Sequence, residues 1–191
     1  METDMAGFAW GFGIAAGALV AASVAQADTV TGDAAAAMLF APGKAEAELS
    51  GGDVLPKDQA KVLRMVAVDQ PYYAAIAISP DEGLMSEATV AAANYHTVEA
   101  ASAVALAECN AKKQGAAECV VVAVVRPEGW TAQPLQLSSD ATAAMADYVG
   151  GALAVSAATG SWGLGDTTET AVAACVDRNA TATDCAAVIA D

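Results

Sequence analysis

Histidine and positive charge are what this chain has least of. Among its 191 residues there is one histidine, and 8 Lys or Arg stand against 23 Asp or Glu, a net charge of −15 at pH 7. A metal cluster or a histidine-paired nucleophile would have to be built on that single ring, His96. So negative a field repels phosphate backbones and anionic lipid, which argues against nucleic acid and a polybasic membrane mode. Its plain role is to keep an alanine-rich, apolar protein in solution. Aromatic residues are only 5% of the chain, so the core cannot rest on large rings. The length leaves room for one compact domain, or two small units that share a core, and excludes a large multidomain enzyme.

The first stretch present in strength is apolar. Residues 6–25 carry no charge, and Ala25-Gln26-Ala27 before Asp28 fits a small-x-small signal-peptidase site. Residues 1–27 are therefore expected to be a signal peptide, and the mature chain periplasmic or secreted. The n-region Met1-Glu2-Thr3-Asp4-Met5 is acidic where Lys or Arg is usual, and a misassigned start codon accounts for that. An uncleaved anchor is the competing reading, since about 20 apolar residues can span a bilayer.

The four cysteines fall in two equal steps, Cys109 to Cys119 and Cys175 to Cys185. An even number of cysteines in an exported chain is normally oxidised. Zinc is the rival, but its sites favour closer pairs than a ten-residue step spanning a helix end and a strand start. A helix that packs across its own hairpin ends close to where the next strand begins, within disulfide reach. The expected bridges pin helix to sheet.

Around these cysteines the chain reads twice in the order ββαβ. Tyr73–Ser79, a loop at 80–87 carrying Gly83, a return strand 88–93, a helix from Val98 to Asn110 and the buried strand Cys119–Val125 make the first repeat, residues 71–126. Residues 150–191 make a shorter second one: strand 151–156, turn 157–160, strand 161–165, helix 167–178 and strand 185–190. Asn94 to Thr97 and Ser138 or Ser139 offer helix caps. Residues 28–70 are a lead segment with a short helix over 31–40, a weak strand over 45–49, and a helix after Pro56. In that second helix Val62, Leu63, Val66 and Ala67 form a core-facing stripe. Residues 127–149 are a connector with a helix over 139–148.

The string Tyr73-Ala74-Ala75-Ile76-Ala77-Ile78-Ser79, the later Asn94, the helix ending Ala107-Glu108-Cys109 and Cys119-Val120-Val121-Val122 resemble the small exported bacterial proteins grouped as domain of unknown function 4189. The likeness covers residues 72–125 and, shortened, 150–190. It departs at Leu84-Met85-Ser86, where that family tends to have Gly-Trp, and the second repeat keeps Ser161-Trp162-Gly163. The resemblance implies a fold and an exported address and brings no established activity. Similar chains sometimes carry the inherited name of 5-aminolevulinic acid synthase. That chemistry needs pyridoxal phosphate held as a lysine Schiff base in a much larger fold, and the few lysines here, among them Lys44, Lys57 and Lys61, argue against it.

Candidate sites each have a bland alternative. His96 sits between Asn94 and Thr97 and reads as a surface cap residue. Gly163-Leu164-Gly165 before a helix is a weak phosphate signature, with Asp166 beside it to repel an anion. Asp81, Glu82 and Glu87 lack the alternating pattern of a calcium loop. Asn179-Ala180-Thr181 is a polar turn rather than a glycosylation signal. Tyr95, Trp130, Tyr148 and Trp162 can line a groove or pack at the edge of the core.

The reading is an α+β fold of two ββαβ repeats sharing one antiparallel sheet, helices on one face, one disulfide per repeat, and an N-terminal helical segment. The expected function is non-enzymatic binding of a protein, peptide or small ligand through the first-repeat loop and Trp130, with Tyr95, His96 and Trp162 as further candidates. Neither metal nor cofactor is expected, nor membrane contact once the signal is cleaved, and the state is a monomer. The enzyme-class rival is a hydrolase using a serine and His96; a structural role in the envelope is the third reading.

Overall fold

The computed structural model describes residues 29–191 and gives an α+β fold with mixed helices and antiparallel sheets. The expected signal peptide lies outside the described residues. Among those described, no helix is long and apolar enough to cross a membrane.

The described residues form two sheets, not one shared sheet. Strands β1 (Ala45–Leu49), β2 (Ala74–Ile78), β3 (Val90–Ala92) and β4 (Val120–Pro127) pair in the order β1-β4-β2-β3. Strands β5 (Ala152–Val155), β6 (Trp162–Gly165) and β7 (Ala186–Ala190) pair in the order β6-β5-β7. The helices are α1 (Gly32–Ala36), α2 (Lys57–Ala67), α3 (Val98–Lys112), α4 (Ser139–Ala144) and α5 (Thr168–Arg178). The run β2-β3-α3-β4 thus has the same order and pairings as β5-β6-α5-β7. Both even carry a register shift at the same place, between Ile76 and Ala77 and between Leu153 and Ala154.

Each sheet is covered on both faces, because successive strand residues point opposite ways. Ala75 and Ala77 of β2 meet Ala101, Ala105 and Cys109 of α3, whereas Ala74, Ile76 and Ile78 meet Leu63 and Ala67 of α2. In the second sheet Ala152 and Ala154 meet Ala171 and Cys175 of α5, and Leu153 meets Ala35 of α1 and Ala141 of α4. The repeat helices α3 and α5 do lie on one face, as expected, and lead-segment and connector helices cover the other. The repeat-helix faces are nearly all alanine, which contributes little burial energy per side chain.

The bridges Cys109–Cys119 and Cys175–Cys185 therefore matter where they fall, joining helix to strand across Cα separations of 6.1 and 6.2 Å. Threonines start both helices. Thr97 Oγ1 accepts from Ala100 N and Thr167 Oγ1 from Thr170 N.

The lead segment is a strap rather than an appendage. Val30 bridges to Ile189 at the edge of the second sheet, while β1 pairs with β4 along the edge of the first. Half of the stripe expected on α2 is not core. Leu63 and Ala67 are buried, but Val62 and Val66 are 56% and 52% exposed, since only one side of this helix rests on the sheet.

Candidate functional site

The one histidine is buried, not on the surface. His96 is 4% exposed and joins three parts of the chain. Ser138 N, in the connector, donates to His96 Nδ1 at 3.1 Å, and His96 Nε2 lies 3.1 Å from the carbonyl of Ser161, at the start of β6. A backbone N–H can only donate, so Nδ1 must offer its lone pair; a carbonyl can only accept, so Nε2 carries the hydrogen. The ring is a neutral, Nε2-protonated imidazole. Burial holds its pKa below the ordinary histidine value, against smaller opposing effects of the Ser161 carbonyl, the Asp184 charge and the Gly160 backbone.

The neighbours of His96 complete this junction. Asn94, at φ 64°, accepts from Asp140 N at 3.1 Å and donates from Nδ2 to the Asp140 carboxylate at 2.8 Å. Gly160, at φ +72°, lies so near that a Cβ there would come within 2.7 Å of the Asn94 carbonyl. Ser161 Oγ in turn donates to the carbonyl of Cys175 at 2.7 Å. With both ring nitrogens engaged by backbone, His96 has no free lone pair with which to accept a proton from a serine. That removes the geometric basis of the hydrolase reading.

The acids of the first-repeat loop are also engaged. Glu82 Oε1 accepts from Gln114 N and Gly115 N at 2.8 and 2.9 Å, and Asp81 Oδ2 from Ala117 N at 2.8 Å. The Gly115 and Gln114 amides hold the Glu82 carboxyl below its usual range. The second unit makes the tie in reverse. Asp184, just before β7, accepts from Ser156 Oγ and Ala158 N in the hairpin. Burial would raise its pKa, but these bonds prevail and hold it down. Among the described residues no three His, Cys, Asp or Glu gather as metal ligands.

The glycines read as a weak phosphate signature serve packing. A Cβ on Gly163 would run into Cys175 N and Ala171 O, and one on Gly165 into Thr170 and Ala171 N, so α5 rests directly on the backbone of β6. Asn179 forms the expected polar turn, its Oδ1 accepting from Thr181 N and Oγ1.

The candidate aromatics do not share a groove. Tyr95 packs on the α3 side of the first sheet, Trp130 beside Tyr72 and Tyr73, and Trp162 in the cluster under the second sheet. Both of these tryptophans carry an arginine. Arg126 Cζ stands 4.8 Å from the Trp130 ring and Arg178 Cζ 3.8 Å from that of Trp162, so one face of each ring is already in use.

A cleft large enough for a small ligand lies between the lead segment and the connector. It is an open cleft of about 830 Å³ with Leu39, Phe40 and Pro42 on one side and Met145, Tyr148 and Val149 on the other. Its end wall is knitted from distant parts of the chain. Asp191 Oδ1 accepts from Gly32 N at 3.1 Å, Asp191 N donates to Gly151 O at 2.9 Å, and Tyr148 Oη donates to the same carbonyl at 2.9 Å. Burial first, and Asp191 second, push the Tyr148 hydroxyl up to about 12, so it stays a neutral donor. Gly32 is needed because a Cβ there would strike the Tyr148 ring. The volume falls within the range of small-molecule sites.

Sequence reasoning weighed Tyr148 as a groove residue and missed the rest of the cleft. The one local sign was Val149, fully exposed and followed by Gly150-Gly151. Comparison of the chain with protein-family models, with curated proteins and with solved structures finds no match.

Proposed function

We propose that this protein is an exported, disulfide-stabilised, non-enzymatic binding module, and that its ligand sits in the cleft between the lead segment and the connector. The single observation that carries the reading is that cleft, about 830 Å³ with an apolar wall on each side and a neutral tyrosine hydroxyl at one end. The commitment of both His96 nitrogens to backbone supports the absence of catalysis. Two bridges support an oxidising compartment.

The matched order and pairing of the two ββαβ units support an internal duplication, and the motif strings support kinship with domain of unknown function 4189. A duplicated unit takes the place that a second copy would otherwise fill, which favours a monomer.

The test uses the purified, oxidised protein and a neutral aromatic probe, naphthylmethanol, followed by amide chemical shifts. Shifts concentrated at Leu39, Phe40, Met145 and Val149 are expected, and Met145→Arg should abolish them. Shifts scattered over the surface, or none, overturn the assignment of the cleft. Hydrolysis of ester or peptide substrates that is lost in His96→Gln would overturn the non-enzymatic reading.

A further inference from the structure

The charges around the cleft narrow what it takes. Asp33 and Asp191 line it, and among the described residues neither Lys, Arg nor His does. The first carboxylate lies in the opening turn of α1 and is exposed; the second is anchored by Gly32 N at the tyrosine end of the cleft. Asp33 adjoins Gly32, so the two carboxylates stand at the same end, and the apolar side chains of Leu39, Phe40 and Met145 also line the cleft. The whole chain adds to the same field, with a net charge of −15, so an anionic ligand is repelled at long range as well as at the site. The cleft is also the size of a small-molecule site rather than of a macromolecular interface.

We infer that the cleft binds a small organic cation with an apolar body, an ammonium or amidinium group on a hydrocarbon or aromatic frame, and this inference rests on the binding reading above. The apolar frame lies against Leu39, Phe40 and Met145, and the cationic head faces Asp33 and Asp191. The Tyr148 hydroxyl is spent on the Gly151 carbonyl and Asp191 accepts from Gly32 N through both oxygens, so the exposed Asp33 carboxylate and the remaining lone pairs of Asp191 meet the head.

An isosteric series separates the two readings. Naphthylmethylammonium, naphthylmethanol and naphthoate differ in charge and share one frame. The ammonium is expected to bind about fivefold to tenfold more tightly than the alcohol at low salt, with the advantage shrinking at high salt, and the carboxylate more weakly than either. The variant Asp33→Asn together with Asp191→Asn should bring the ammonium down to the affinity of the alcohol. Asparagine keeps an oxygen acceptor for Gly32 N, and Asp33→Asn alone, at an exposed position, gives a second variant should the double one fold poorly.

Equal binding of ammonium and alcohol, or an advantage that survives both variants, overturns the cation assignment and leaves the binding site in place. Failure of all three probes at the cleft overturns both. Shifts of the lining residues that depend on protein concentration without any probe mean that a second copy covers the cleft, and overturn the small cation as its occupant.

Discussion

At the scale of single residues, His96 shows how a bland sequence reading can miss a structural linchpin. Next to Asn94 and Thr97 it reads as cap chemistry, and Thr97 is indeed the cap of α3. The partners that bury His96 are 42 and 65 residues away, and no local pattern encodes them. Its tautomer makes a pH prediction. A proton added at Nδ1 would face the Ser138 N–H, so the folded state resists protonation and its pKa is lowered. The unfolded chain takes up the proton at about 6.5. Stability is therefore full above that pH, falls as pH drops below it, and levels off once the folded pKa is passed. The lowered carboxylates Glu82 and Asp184 begin from model values of 4.5 and 3.8, so a window from pH 7.5 to 5.5 isolates the histidine. Urea midpoints should fall across it in the native protein and stay level in His96→Gln, whose amide keeps one donor and one acceptor. His96→Ala strands the Ser138 N–H and the Ser161 carbonyl and should cost about 3 kcal/mol. Equal slopes in native protein and the glutamine variant would refute the tautomer assignment.

At the scale of elements, strand and helix positions were legible where periodicity and caps agree, and least legible where tertiary contact decides. Strand β1 runs over Ala45–Leu49 as read, and α3 starts at Val98 as read. The α2 stripe was half wrong because Val62 and Val66 have no element opposite them. The single shared sheet was wrong because each repeat forms its own sheet and different parts of the lead segment flank them, β1 as an edge strand on the first and Val30 through a single bridge to the second. The contact between α5 and β6 explains glycines that looked like a ligand signature. Gly163→Ala puts a methyl group into the backbone of α5 and should cost about 3 kcal/mol through overpacking. Gly83→Ala has open space around its Cβ and only a φ of +75° to strain it, so about 1 kcal/mol is expected. Denaturation of the two variants side by side checks the claim. Equal costs would mean that α5 does not depend on a side-chain-free strand.

At the scale of the whole molecule, the two sheets are stapled internally by disulfides and tied together by the lead segment and the His96 junction. Each bridge closes a step of 10 residues inside one unit, so reduction loosens helix from sheet without cutting the links between units. The chain-entropy estimate is about 3 kcal/mol per bridge. The double variant Cys175→Ala with Cys185→Ala should lose that much and leave the other bridge intact.

The lead segment sets a constraint on processing. Val30 bridges to β7, Gly32 N binds Asp191, and Ala35 is fully buried, so a cut beyond residue 29 would dismantle the end wall of the cleft. Cleavage after Ala27 spares all three. The exported reading proposed above predicts an intact mass from native cells that corresponds to residues 28–191, lighter by four hydrogens before reduction than after it. Recombinant chains beginning at residue 28 should melt cooperatively and bind the neutral probe. Chains beginning at residue 43 should lose the binding and several degrees of melting temperature while both bridges still form. A native mass that retains residues 1–27, or free thiols in the native protein, would overturn the exported reading. A chain from residue 43 that still bound the probe would show that the lead segment does not build the cleft.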